Sequence, residues 1–158
     1  MNMIEGTLTG VQGRVGIVTT RWNEFITERL FEGARQRLNR LGVSDDDMIV
    51  AKCPGSYEIP FTAQQLIKHT SVEGVVCLGV IIRGGTPHFD YVAGAANSGI
   101  QQLNMQFDKP VIFGVLTTDT IEQAVERAGA KAGNKGAEAA EALVEMISLN
   151  HAISNYDG

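Results

Sequence analysis

Several things are scarce in this chain, and each scarcity removes a class of function. Only two of its 158 residues are cysteine. Cys53 and Cys77 sit in apolar, strand-like segments too far apart for a metal-binding Cys-x-x-Cys, so buried free thiols in a reducing compartment are expected rather than a disulfide. The three histidines, His69, His88 and His151, show no paired ligand spacing, which leaves no case for zinc and makes metal-free chemistry the default. No apolar run approaches membrane-spanning length. The longest, Val75–Ile82, lies between Glu73 and Arg83 and reads as a buried strand. A basic excess is also missing: thirteen Lys plus Arg against eighteen Asp plus Glu give a net charge of −5, the wrong sign for gripping polyanionic backbones through a broad basic face. Neither nucleic acid nor a membrane is an expected partner. One small phosphate stays open, because it needs a few oriented donors and cations rather than global charge. Met1–Gly10 contains no basic region followed by a continuous apolar stretch, so the expected location is cytoplasmic.

What is present is the composition of a packed core, with 44% hydrophobic and 20% charged residues. The length sets a prior of one domain over residues 1–158. Four apolar runs, Arg14–Thr19, Met48–Cys53, Gly74–Ile82 and Pro110–Leu116, alternate with stretches of helical periodicity, the pattern of βαβ units. After the first run Ile26, Leu30, Ala34, Leu38 and Leu41 share a helix face that Gly42 terminates. After the second, Pro54-Gly55 turns the chain, Ser56 is expected to cap a helix containing Ala63, Leu66 and Ile67, and Pro60 falls near its first turn. A third helix is expected from about Phe89 to Phe107, a short one capped by Thr120 and ending at Arg127, and a last one from about Gly136 to Ser154. The expected fold is therefore α/β, a three-layer α/β/α sandwich on a parallel sheet. Residues 1–13 have no obvious place in it. They read either as an extended arm that adds to another subunit's sheet edge or as a frayed terminus.

Ligands of open parallel sheets collect at the carboxyl ends of strands. The connection Ile82-Arg83-Gly84-Gly85-Thr86-Pro87-His88-Phe89-Asp90-Tyr91 follows the most apolar strand and opens the long helix. Thr86 is expected as N-cap and Pro87 as first helical residue, with two glycines leaving backbone N–H groups open to an anion. This is a phosphate cradle, or a turn that uses its glycines for folding alone. His88 beside it is suited to moving protons near neutral pH, although a lone loop histidine is often only a surface residue. Trp22, the only tryptophan, follows the first strand within Thr19-Thr20-Arg21-Trp22-Asn23 and either stacks on a heterocycle or covers the core. Glu58, in Pro54-Gly55-Ser56-Tyr57-Glu58-Ile59-Pro60, either accepts from a polyol or serves the helix dipole. Near the end, Arg127, Lys131 and Lys135 fall in a Gly-rich connection, as phosphate ligands or as solvated charges of a turn.

Four stretches now stand in order: Pro-Gly-Ser-Tyr-Glu-Ile-Pro at 54–60, Val-Ile-Ile-Arg-Gly-Gly-Thr-Pro-His-Phe-Asp-Tyr-Val at 80–92, Phe-Gly-Val-Leu-Thr at 113–117, and Glu-Gln-Ala-Val-Glu-Arg-Ala-Gly-Ala-Lys-Ala-Gly-Asn-Lys-Gly at 122–136. Together the chain resembles the 6,7-dimethyl-8-ribityllumazine synthase family over nearly its whole length. The resemblance implies a flavodoxin-like, four-stranded sheet. It also implies a cofactor-independent transferase reaction of riboflavin biosynthesis, in which 5-amino-6-(D-ribitylamino)uracil condenses with 3,4-dihydroxy-2-butanone 4-phosphate and releases phosphate and water. His88 would then be the catalytic proton donor or acceptor, and Gly85, Thr86 and Arg127 would hold the phosphate. Trp22 would stack on the pyrimidine. Asn23, Ser56, Tyr57, Glu58, Val80, Ile81 and Ile82 would line the ring and ribityl chain, with Phe113 and Lys135 completing the pocket. Positions 113, 127 and 135 would come from a neighbouring subunit, so the resemblance also implies a homo-oligomer, either a pentamer or twelve pentamers in a 60-subunit icosahedral capsid, with riboflavin synthase as a candidate partner. Trp22 stands where phenylalanine is commoner in the family, and Val80 where threonine is frequent. The tryptophan favours flavin or lumazine retention, so a flavin-storage protein is the first alternative. A shell-forming structural protein is the second.

Overall fold

The computed structural model describes residues 1–130 and 133–158; Lys131, one of the three cations of the Gly-rich connection, lies outside the described residues. Four strands, β1 (Arg14–Thr20), β2 (Met48–Cys53), β3 (Val72–Ile82) and β4 (Val111–Thr118), form one parallel sheet in the order β2-β1-β3-β4. Five helices connect and follow them: α1 (Glu24–Arg40), α2 (Ile59–His69), α3 (His88–Phe107), α4 (Ile121–Arg127) and α5 (Lys135–Ser154). The expected α/β/α sandwich is the fold observed.

Both sheet faces are covered, which explains why the central strands read as continuous apolar runs rather than alternating ones. On one face Val15 and Ile17 of β1 pack with Ile26, Leu30 and Leu38 of α1 and with Leu143, Val144 and Ile147 of α5. On the other, Val18, Val75 and Cys77 pack with Ile59 and Ala63 of α2 and with Ala96, Ile100 and Leu103 of α3. Gly42 takes a left-handed φ of 96° just past α1, a conformation glycine adopts without a Cβ penalty. Thr120 caps α4 by accepting from the Gln123 N–H at 3.1 Å.

Two expected caps are not where the sequence pattern places them. Ser56 does not cap α2; it opens a tight 3₁₀ turn, Ser56–Glu58, and its hydroxyl reaches toward the Val80 carbonyl oxygen at 3.5 Å. Thr86 is not the cap of α3. Pro87 holds that position, His88 is the first helical residue, and no side chain caps the helix. Residues 1–13 form no regular element. They lie along α5 of their own chain, where Asn2 Nδ2 donates to the Tyr156 hydroxyl at 2.7 Å and the Thr7 N–H to Ser148 Oγ at 3.0 Å.

The cation-bearing connection is fastened by one side chain. Asn134 Oδ1 accepts from the Ala137 N–H at 3.0 Å, capping α5, while its Nδ2 donates to the carbonyls of Arg29 in α1 at 2.9 Å and Ala128 at 3.2 Å. Gly33 of α1 leaves the space this amide fills, and Gly136 lets the start of α5 meet the Leu30 carbonyl of α1, where a Cβ would collide with backbone. Backbone cannot yield as a flexible side chain can, so Gly136→Ala is expected to cost about 2–3 kcal/mol of stability, read by denaturant unfolding.

Cys53 is 7% exposed and Cys77 fully buried, and both are free. Burial pushes both thiols above the ordinary range, so little nucleophilic thiolate forms. A chromogenic disulfide reagent at mildly alkaline pH is expected to find neither thiol in the native protein and both after denaturation.

Candidate active site

The sheet order reverses between β1 and β3, since the chain leaves β1 toward β2 on one side and continues with β3 on the other. Connections from the two central strands thus diverge above their carboxyl ends and leave a crevice. A cavity of about 460 Å³ occupies it, a size suited to a small organic ligand. The β1 connection contributes Thr20, Trp22 and Asn23, the β2 connection Gly55 to Glu58, the end of β3 Val80 to Ile82, and the start of α3 His88, Tyr91 and Val92.

Three aromatic rings surround this space while remaining more than half exposed: Trp22 at 57%, Tyr57 at 62% and Tyr91 at 73%. Such surface around one concavity marks a place that something else covers. Trp22 is not a core plug, which removes one of its two sequence readings. The Trp22 N–H donates to the Pro54 carbonyl at 3.0 Å, and its indole lies against Gly55 so closely that a Cβ there would collide with the ring. Asn23 follows in a left-handed conformation with φ of 59°, which asparagine tolerates better than most residues, and its carbonyl receives the Ile26 N–H of α1. Glu58 accepts from the Gly55 N–H at 3.1 Å through Oε2. One carboxylate oxygen thus holds the turn on which the indole rests.

The connection after β3 is open. A Cβ at Gly84 or Gly85 would meet nothing within 4 Å, and neither has a left-handed φ. Nothing inside the chain therefore demands glycine there, which disfavours the reading of a turn that needs glycine only to fold. With no side-chain cap, the first N–H groups of α3 are available to an external acceptor. The His88 imidazole is exposed at the cavity and takes part in no hydrogen bond among the described residues. Gly85 and Thr86 are also exposed, outside the cavity lining.

The remaining predicted residues are elsewhere. Phe113, Arg127 and Lys135 line a second cavity, of about 510 Å³, beside Ile112 to Thr117 of β4 and residues Glu138, Ala139 and Ala142 of α5. β4 is an edge strand, so this cavity opens at the side of the sheet. Lys135 Nζ pairs with Glu138 at 3.0 Å, and Arg127 forms no ion pair among the described residues. Among the described residues the first cavity is lined by no Lys or Arg, and its one carboxylate is Glu58. An aromatic cavity containing an imidazole and a cation-bearing cavity thus occupy separate surfaces of one chain. No cluster of three metal-ligating side chains occurs among the described residues.

Sequence reading missed Thr20, Gly55, Tyr91 and Val92 as lining residues. Tyr91 and Val92 follow His88 by three and four positions in one helix, a spacing that puts them on its face and was open to use. Gly55 gave no such signal, because its importance lies in what the indole touches.

The sequence model of the 6,7-dimethyl-8-ribityllumazine synthase family matches residues 12–151, and the chain belongs to that family, whose members act in riboflavin biosynthesis.

Because Trp22 is the only tryptophan, intrinsic emission reports on this cavity alone. Titrated riboflavin, carrying a ribityl chain on a heterocycle, is expected to quench that emission. Gly55→Ala is expected to shift the emission maximum of the free protein and raise the apparent Kd about tenfold, the effect of losing a stacked contact of about 1.4 kcal/mol.

Proposed function

We propose that the protein condenses 5-amino-6-(D-ribitylamino)uracil with 3,4-dihydroxy-2-butanone 4-phosphate to 6,7-dimethyl-8-ribityllumazine, in a site completed by a second copy of the chain. The observation that carries this reading is the division of the site. The cavity at the β1/β3 crevice offers rings, polar backbone and an imidazole, whereas Arg127 and Lys135 stand beside the open edge of β4. A phosphorylated substrate needs both halves, and juxtaposing two chains supplies both. A homo-oligomer follows, a pentamer or twelve pentamers, with the exposed arm and sheet edges as its contact material.

In this reading the pyrimidine stacks on Trp22 and its ribityl chain runs past Ser56, Tyr57 and the free oxygen of Glu58. Asn23 and the backbone of Val80 to Ile82 accept and donate to the ring's polar edge. Valine at position 80 serves this role because the contact is made by main chain. The phosphate lies across Gly85, Thr86 and the open end of α3, neutralised by Arg127 of the second copy, with Phe113 and Lys135 closing the pocket. The substrate amine attacks the ketone carbon and water leaves as the imine forms. Loss of a proton from the adjacent carbon then expels the phosphate. The second nitrogen closes the ring, releasing another water. His88 moves protons among these steps at a position open to both substrates. Most of the acceleration comes from holding two reactants in contact and stabilising the departing dianion. Acid–base help adds about 10²–10⁴-fold.

A flavin-storage role on the same pocket is the second reading, favoured by the exposed Trp22 plane over Gly55. Turnover separates the two. His88→Ala is expected to slow lumazine formation by about 10²-fold without abolishing it, and unchanged turnover removes His88 from its role. Arg127→Ala is expected to raise KM for the butanone phosphate by about tenfold or more, through loss of a charge-assisted contact. A change confined to the pyrimidine's KM contradicts the phosphate assignment.

A further inference from the structure

The cradle connection contains a cation of its own, Arg83, at the base of the loop that ends in His88. A phosphate ligand would be the natural role for it. Its guanidinium is, however, already engaged on three sides: Nε donates to Asp119 Oδ1 at 3.0 Å, Nη1 lies 3.8 Å from Asp90 Oδ1, and the guanidinium carbon sits 4.2 Å from the centroid of the Phe89 ring. Its backbone N–H is committed to the Thr118 carbonyl at 2.8 Å. Asp119 is fixed in turn, its N–H donating to Gln123 Oε1 at 2.8 Å. Arg83 therefore ties the β4–α4 corner to Phe89 and Asp90, the two residues that follow His88. The uncapped first turn of α3 has no side-chain fastening at its cap, while a Cβ at Gly84 or Gly85 would meet nothing within 4 Å.

We propose that Arg83 is a positioning residue of the proposed reaction, clasping the first turn of α3 so that His88 and the open backbone N–H groups of Gly84, Gly85 and Thr86 keep one geometry, and that it is not a ligand of the phosphate. The inference rests on the synthase reading. It also explains why the dianion depends on a cation from another copy, since the local one is spent on carboxylates. Each of these exposed contacts is weak in isolation. Their effect is on placement, where a displacement of about 1 Å costs about 10²-fold in rate.

The test compares wild type, Arg83→Met and Asp119→Asn for kcat, for KM of the butanone phosphate, and for competitive inhibition by inorganic phosphate. Oligomer size and Trp22 emission serve as controls of folding. A positioning role predicts that Arg83→Met lowers kcat about 10- to 100-fold, with the inhibition constant for phosphate within about threefold of wild type. Asp119→Asn is expected to act in the same direction, and the double variant to be no slower than Arg83→Met alone, because both changes break one clasp. Weakening of phosphate inhibition by about tenfold or more with kcat preserved makes Arg83 a phosphate ligand and overturns the proposal. Unchanged kcat in Arg83→Met, against an active wild type, overturns it as well. If Arg83→Met fails to assemble, Asp119→Asn decides alone by the same split. A wild type that does not outrun the uncatalysed condensation overturns the synthase reading itself, and the inference with it.

Discussion

The sheet order β2-β1-β3-β4 obliges the connections of β1 and β3 to diverge, and they leave a crevice into which both central strands point their carboxyl ends. Everything chemical in the first cavity hangs from that divergence: Trp22 and Asn23 from one side, Val80 to Ile82 and His88 from the other, with the Gly55–Glu58 turn as floor. The same order puts β4 at an edge, far from β1, and with it the connection carrying Arg127 and Lys135. One topology thus creates the first cavity and keeps Arg127 and Lys135 apart from it. The proposed dependence on a second chain is a consequence of this placement.

Close approaches hold both halves to shape. Gly55 admits the indole, Gly33 admits Asn134, and Gly136 admits the Leu30 carbonyl. Asn134 is heavily committed, since its one amide caps α5, binds α1 and reaches back to the carbonyl of Ala128, the residue after Arg127, while Lys135 follows Asn134 directly. In the proposed clasp, Arg83 plays the corresponding part for the connection after β3.

Much of this was legible in the sequence. Helical periodicity after each apolar run located all five helices to within a few residues, and Thr120 and Gly42 announced their own boundaries. Capping preference misplaced Ser56 and Thr86, because Ser56 opens a 3₁₀ turn and α3 starts after Pro87 with no side-chain cap at all. Residue types marked His88, Trp22 and Arg127 as candidates, yet nothing in their spacing reveals that the third is apart from the first two. That separation depends on strand order, a long-range property. Arg83 carried no signal of its own in the sequence, because its carboxylate partners are brought in from β4–α4 and α3.

The most direct test of the shared site is complementation between two impaired chains, assayed with the butanone phosphate well below its KM so that both variants are slow. His88→Ala and Arg127→Ala proteins, dissociated together, mixed in equal amounts and reassembled, form interfaces in which one random arrangement in about four joins an intact His88 to an intact Arg127. Lumazine formation recovering to about a quarter of the wild-type rate is the predicted result. Activity no higher than the mean of the two variants, from correctly sized mixed oligomers, would contradict a site built from two chains.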